Sequence, residues 1–182
     1  SRRGNVKSPQ STLYEGGDEE LSLLREAALG AAMAYYTLDD YPKAQAILRA
    51  IPEAQRSDPF TYWLGETAYR LGEFDESRKY FLKAAKEAGD PALTKEAYFG
   101  VIKALYGKEQ WAETLKQVQN LPRESLTPEI FLIAGDCALN LKEYANALPF
   151  YQEIRNRFPK HPLAQAVIYY SGYAAYKQAQ FE

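Results

Sequence analysis

The chain has one histidine, His161, and one cysteine, Cys137, so any nucleophilic chemistry would have to come from that pair. A thiolate nucleophile needs its base within hydrogen-bond reach. Cys137 lies beside Gly135 in a helical stretch, whereas His161 stands 24 residues on, in a loop before Pro162. That placement reads Cys137 as a small buried residue and His161 as a helix-start residue. Zinc needs three or four nitrogen or sulfur ligands at fixed spacing, and one histidine with one cysteine falls short of that set. No glycine-rich phosphate loop, Gly-x-Ser-x-Gly elbow or His-Glu-x-x-His helix occurs. Acidic pairs such as Glu19/Glu20 and Asp39/Asp40 read as helix-end charge. The residues predict no enzyme, no metal and no cofactor, and the chemistry left is that of recognition.

Aromatic side chains carry that chemistry, and five of them are evenly placed. Tyr41, Phe74, Trp111, Tyr144 and Phe181 follow one another at steps of 33, 37, 33 and 37 residues. A period in the thirties marks stacked structural repeats rather than one globular fold. The elements between the steps read as helices. Asp58-Pro59, Asp90-Pro91 and Thr127-Pro128 each put a capping side chain before a proline, and His161-Pro162 is a weaker version. Asp18-Glu19-Glu20 predicts a first helix start, after which Leu21, Leu24, Ala28, Ala31, Ala32 and Tyr35 recur at three- and four-residue steps. Alternating β-branched runs and Asn-Gly turns are missing, so the fold class is all-α.

Two helices fit each step. Nine residues before each aromatic stand Ala32, Gly65, Ile102, Gly135 and Gly172; three after come Ala44, Ser77, Thr114 and Ala147; seven after come Leu48, Phe81, Val118 and Tyr151. Small residues facing a large knob one turn away describe a tightly packed helical hairpin. The alternating steps also make a 70-residue unit, seen in Tyr36/Tyr106, Pro52/Pro122, Gly65/Gly135 and Phe74/Tyr144. Duplication of a repeat pair explains it.

The run from Tyr62 to Phe74 resembles the first helix and turn of a tetratricopeptide repeat. Ile133 to Leu139 with Tyr144, Ala147, Tyr151 and Pro159 resembles it nearly as well, and Ala97 to Leu121 departs most, with Ile102 where glycine or alanine is usual. The resemblance implies a right-handed α-solenoid of about four and a half repeats: 21–56, 57–90, 91–126, 127–161 and a truncated 162–182. Residues 1–17 read as a flexible lead-in, and 18–182 as the solenoid. The truncation suggests a piece of a longer array. Phe158-Pro159-Lys160-His161-Pro162-Leu163-Ala164, followed by Tyr169 and Gly172, is similar to repeats of bacterial periplasmic and outer-membrane-assembly lipoproteins. That likeness leaves the compartment open between periplasm or outer membrane and cytoplasm.

In such arrays the first helices line a concave side, and the resemblance places three rows of residues there. One row is Tyr36, Tyr69, Tyr106, Leu139 and Tyr176; a second is Leu29, Tyr62, Phe99, Leu132 and Tyr169; between them lie Met33, Glu66, Lys103, Asp136 and Tyr173. Eight of these fifteen are Tyr or Phe, side chains that offer large rigid area with few rotors to freeze. The charges are mixed: Glu66, Arg70, Lys103, Asp136 and Lys177. The expected function is a non-catalytic scaffold that binds a peptide or protein in this groove. The same tyrosines could instead pack between repeats. A third possibility is self-association through apolar residues of the last helix, namely Val167, Ile168, Tyr170 and Ala174. Leu29, Met33 and Tyr62 stand where a carboxylate clamp would need lysine or asparagine, so a chaperone-tail receptor is not expected.

Composition agrees. The chain has 182 residues, 46% hydrophobic and 25% charged, with net charge −2. That balance suits a folded chain and opposes a phosphate-backbone binder, which needs a dense basic face. No apolar run approaches the roughly 20 residues that span a bilayer.

Overall fold

The computed structural model describes the backbone of residues 9–181 and the side chains of residues 19–180. The described residues form helices α1 (Pro9–Thr37), α2 (Tyr41–Ala50), α3 (Asp58–Arg70), α4 (Phe74–Glu87), α5 (Pro91–Gly107), α6 (Trp111–Gln119), α7 (Pro128–Asn140), α8 (Tyr144–Arg157) and α9 (Pro162–Phe181). Short 3₁₀ turns at Glu53–Gln55 and Arg123–Ser125 follow α2 and α6. Two compact units result, residues 1–56 and 57–182.

The 70-residue period is visible in the elements: α3 with α7, α4 with α8, and the two 3₁₀ turns each recur at that spacing. Four ladder aromatics open the second helix of their hairpin, Tyr41 on α2, Phe74 on α4, Trp111 on α6 and Tyr144 on α8. Each hairpin turns in the same way. Two residues before the aromatic, Asp39, Gly72, Glu109 and Lys142 all have φ between 58° and 76°. The residue after each donates its N–H back five positions, as from Glu73 to the Ala68 carbonyl and from Glu143 to that of Ala138. This is the Schellman closure, which satisfies carbonyls left open at a helix end. Only Gly72 adopts the left-handed conformation without a Cβ to crowd the backbone.

In the hairpins α3–α4 and α7–α8 the small-against-large pairing is a direct contact. A Cβ on Gly65 would sit 2.8 Å from the Phe81 ring, and one on Gly135 would sit 2.3 Å from that of Tyr151. Gly100 of α5 also lies against Phe81, where a Cβ would sit 2.5 Å from the ring. Where the third repeat has Ile102 instead of a glycine, its counterpart is the smaller Val118, and the two share one cluster. The departure at Ile102 is thus a volume exchange across the hairpin. The core of residues 57–182 is a chain of such clusters. Phe81, Val101 and Leu105 join α4 to α5; Ile102, Val118, Ile130 and Ala134 join α5, α6 and α7; Phe131, Tyr151, Ile154, Val167 and Ala174 join α7, α8 and α9.

Several expectations change. The first helix begins at Pro9, so Asp18-Glu19-Glu20 lies inside it, and the expected lead-in is helical from residue 9; residues 1–8 are outside the described residues. Leu21 and Leu24 are exposed (44% and 59%), although their spacing predicts a buried face. The cause is length: α1 has 29 residues and α2 only 10, about 44 Å against about 15 Å. The caps hold for Asp90, which accepts from the Ala92 N–H at 2.9 Å, and for Thr127, which accepts from Ile130 at 3.4 Å. Asp58 instead accepts from the Gly89 N–H at 3.3 Å, tying the start of α3 to the second residue after α4. His161 Nδ1 accepts from the Leu163 N–H at 3.3 Å, a helix-start contact.

Candidate functional site

The first helices of the second unit, α3, α5, α7 and α9, pack side by side, and α5, α7 and α9 are each also held by the second helix before them. Their common face carries most of the expected contact residues: Tyr62, Glu66, Tyr69 and Arg70 from α3; Phe99, Lys103 and Tyr106 from α5; Asp136 from α7; Tyr169, Tyr173 and Tyr176 from α9. Leu29, Met33 and Tyr36 lie on α1 in the other unit, with Leu29 and Tyr36 half-buried and Met33 exposed.

The row with Tyr36 has a packing role. Tyr36 meets Tyr41 at 5.2 Å between ring centroids, Tyr69 meets Phe74 at 5.6 Å and Tyr106 meets Trp111 at 5.0 Å. Each tyrosine therefore braces its own turn with one ring edge or tilted face while staying half-exposed. On α9 the same rows are open: Tyr169 is 75% exposed, Tyr176 60% and Tyr173 43%.

An ion pair joins α3 to α5. Lys103 Nζ lies 2.8 Å from Glu66 Oε1, and the Tyr62 hydroxyl donates to that oxygen at 3.2 Å. The rings of Tyr69, Phe99 and Phe81 surround the ammonium at 5.1, 5.2 and 5.7 Å. Ring faces attract a cation, so Glu66 is buried as the counter-charge of a caged lysine and does not present itself at the surface. One repeat pair later, Asp136 is half-buried and accepts a hydrogen bond from the Tyr151 hydroxyl at 3.1 Å. Burial pushes its carboxyl above the usual carboxylate range, against the pull of that bond. Burial, with the nearby Asp136 charge, also raises Tyr106 and Tyr151.

Tyr151 is a contact that the sequence reading missed. It stands in the row of core knobs, but its hydroxyl reaches the face of the first helices. The available signal was the knob itself: both Phe81 and Tyr151 have a carboxylate 15 residues earlier, Glu66 and Asp136, but only the tyrosine carries a hydroxyl to reach it. Cys137 is fully buried, and burial pushes its thiol up to about 12. His161 pairs with Glu129 at 3.4 Å, eight residues back along α7, about 12 Å from Cys137 by helical rise. The structure does not bring the thiol and imidazole together. Val167 and Ala174, expected on an exposed apolar face of α9, are instead fully buried, and Tyr170 stacks on Tyr151 at 5.9 Å. Those residues face α7 and α8, and of the expected four only Ile168 is exposed, at 55%. No described helix is long and apolar enough to cross a membrane.

Profiles of the tetratricopeptide repeat family match residues 29–93 and residues 129–161, together more than half of the chain. No curated protein matches the sequence. Among solved structures, MamA AMB-1 in a P212121 form superposes with a TM-score of 0.63 over 90% of this chain and 86% of its own, at 12% identity. MamA MSR-1 in a C2 form superposes with a TM-score of 0.59 over 88% and 90%, also at 12% identity. At that identity the likeness is one of fold.

Proposed function

The chain belongs to the tetratricopeptide repeat family, whose arrays are protein-interaction scaffolds, and from that premise we propose that it binds an extended peptide or a protein segment along the face of α3, α5, α7 and α9. The observation that carries the reading is the open aromatic run on α9. Tyr169, Tyr173 and Tyr176 are exposed together on one helix, and rigid amphipathic rings are efficient contact surface. Mixed charge beside them favours a partner with apolar side chains and a few polar anchors.

The test uses the full chain and immobilised random-sequence peptide pools, about twelve residues long to match a groove-spanning segment. The wild type retains a subset saturably, and Tyr169→Ser with Tyr173→Ser weakens retention about tenfold, an effect on the scale of one interface anchor. Thermal stability is unchanged, because both rings are exposed. Equal retention by the double variant would remove this reading.

Exposed Ile168 beside the same tyrosines favours a second reading, association of two copies through α9. Light scattering separates the two. A monomer at roughly tens of micromolar, the range of weak interfaces, counts against self-assembly.

A further inference from the structure

Asp136 and Glu66 occupy the same place in the 70-residue unit, on α7 and α3. Glu66 is neutralised in cis by Lys103 of the next first helix, with Tyr62 as a second donor. The register replaces both donors around Asp136: Leu132 stands for Tyr62, and Tyr173 of α9 stands for Lys103. What remains is one hydroxyl, from Tyr151 at 3.1 Å, and among the described residues no cationic side chain pairs with Asp136. The aromatic surroundings persist in part, with Leu139 in the register place of Tyr69. Tyr151 takes the register place of Phe81, Tyr169 that of Phe99, and Tyr106 of α5 is near enough to feel the Asp136 charge.

We propose that Asp136 anchors a lysine or arginine side chain of the peptide partner, which fills at α7 the place that Lys103 fills at α3. The proposal rests on the groove reading above and names the chemistry of one residue in the bound segment. A cation entering this slot meets a half-buried carboxylate and the rings of Tyr151 and Tyr169, which hold the register places of Phe81 and Phe99 around Lys103. Burying a charge without an opposite charge is costly, and Asp136 bears that burial with a neutral partner only. A ligand cation removes the cost, whereas an apolar or acidic side chain leaves or worsens it. Such side-by-side charge and ring contacts select a basic residue by about tenfold.

The experiment uses the full chain and four peptide pools of random sequence, with the central residue fixed as arginine, lysine, norleucine or glutamate. The wild type retains the arginine and lysine pools about tenfold better than the norleucine pool, and the glutamate pool least. Asp136→Asn keeps an acceptor for Tyr151 and abolishes the basic preference, so that the arginine and lysine pools are retained no better than the norleucine pool. Tyr173→Lys installs the missing cation in cis and abolishes the same preference without removing Asp136. A preference that survives both variants, or pools retained without regard to charge, would overturn the anchor and leave the groove reading standing. No saturable retention of any pool would overturn both.

Discussion

At Gly135 and Gly65 the missing Cβ is what lets an aromatic ring enter the hairpin. Gly65→Ala puts a methyl 2.8 Å from Phe81, closer than packing tolerates, and we expect a loss of about 1–3 kcal/mol in denaturant unfolding. Combined with Phe81→Leu the loss is smaller than the sum of the two single losses, because Ala32 with Leu48 already makes that combination in the first hairpin, both fully buried. Additive losses would show that the ring and the glycine do not compete for one volume. Asp136 provides a pH test. Its folded pKa lies above the ordinary 3.8, so the folded state holds the proton more tightly and the ionised carboxyl opposes folding. The penalty is absent below about 3.8, grows as pH rises through the folded value, and is complete above it. Asp136→Asn therefore raises the melting temperature at pH 7, and the difference fades towards pH 4. A variant less stable than wild type at pH 7 would mean that the charge contributes to the fold.

At the scale of the element, the hairpin turn is a backbone motif filled by four different residues. Lys142 and Glu109 hold φ of 63° and 58°, a conformation that a side chain disfavours by roughly 1 kcal/mol. Lys142→Gly is expected to stabilise the chain by about 0.5–1 kcal/mol, and Gly72→Ala to destabilise it by about the same amount. Gly72 is a clean site for this comparison, since a Cβ there would meet nothing within 4 Å. Chemical denaturation of the two variants should move in opposite directions. Movement in the same direction would show that contacts, not backbone conformation, set the energy of these turns.

For the whole molecule, residues 57–182 form a compact unit of their own, with clusters that pass from α4 to α9. In stacked repeats stability is a sum of repeat and neighbour terms, so this segment should fold alone. Expressed as residues 57–182, it is expected to keep a cooperative thermal transition and the same helical signal per residue over that range. A non-cooperative melt would show that residues 1–56 are needed to complete it.

The ladder spacing, the small-to-large pairing and the capped prolines are all local or periodic, which is why the repeat family and the helical hairpins were legible from residues alone. A period survives in one dimension because every repeat solves the same packing problem. Helical spacing also put Tyr169, Tyr173 and Tyr176 on α9 positions that the structure leaves exposed, since that spacing decides a face. It could not decide which tyrosines brace a turn, because that depends on the second helix folding back until Phe74 and Trp111 meet Tyr69 and Tyr106. Nor could it tell that Glu66 has a cation and that Asp136, among the described residues, has none. Both carboxylates look alike in their own helices, and only the neighbouring helix, with Lys103 in one case and Tyr173 in the other, sets them apart.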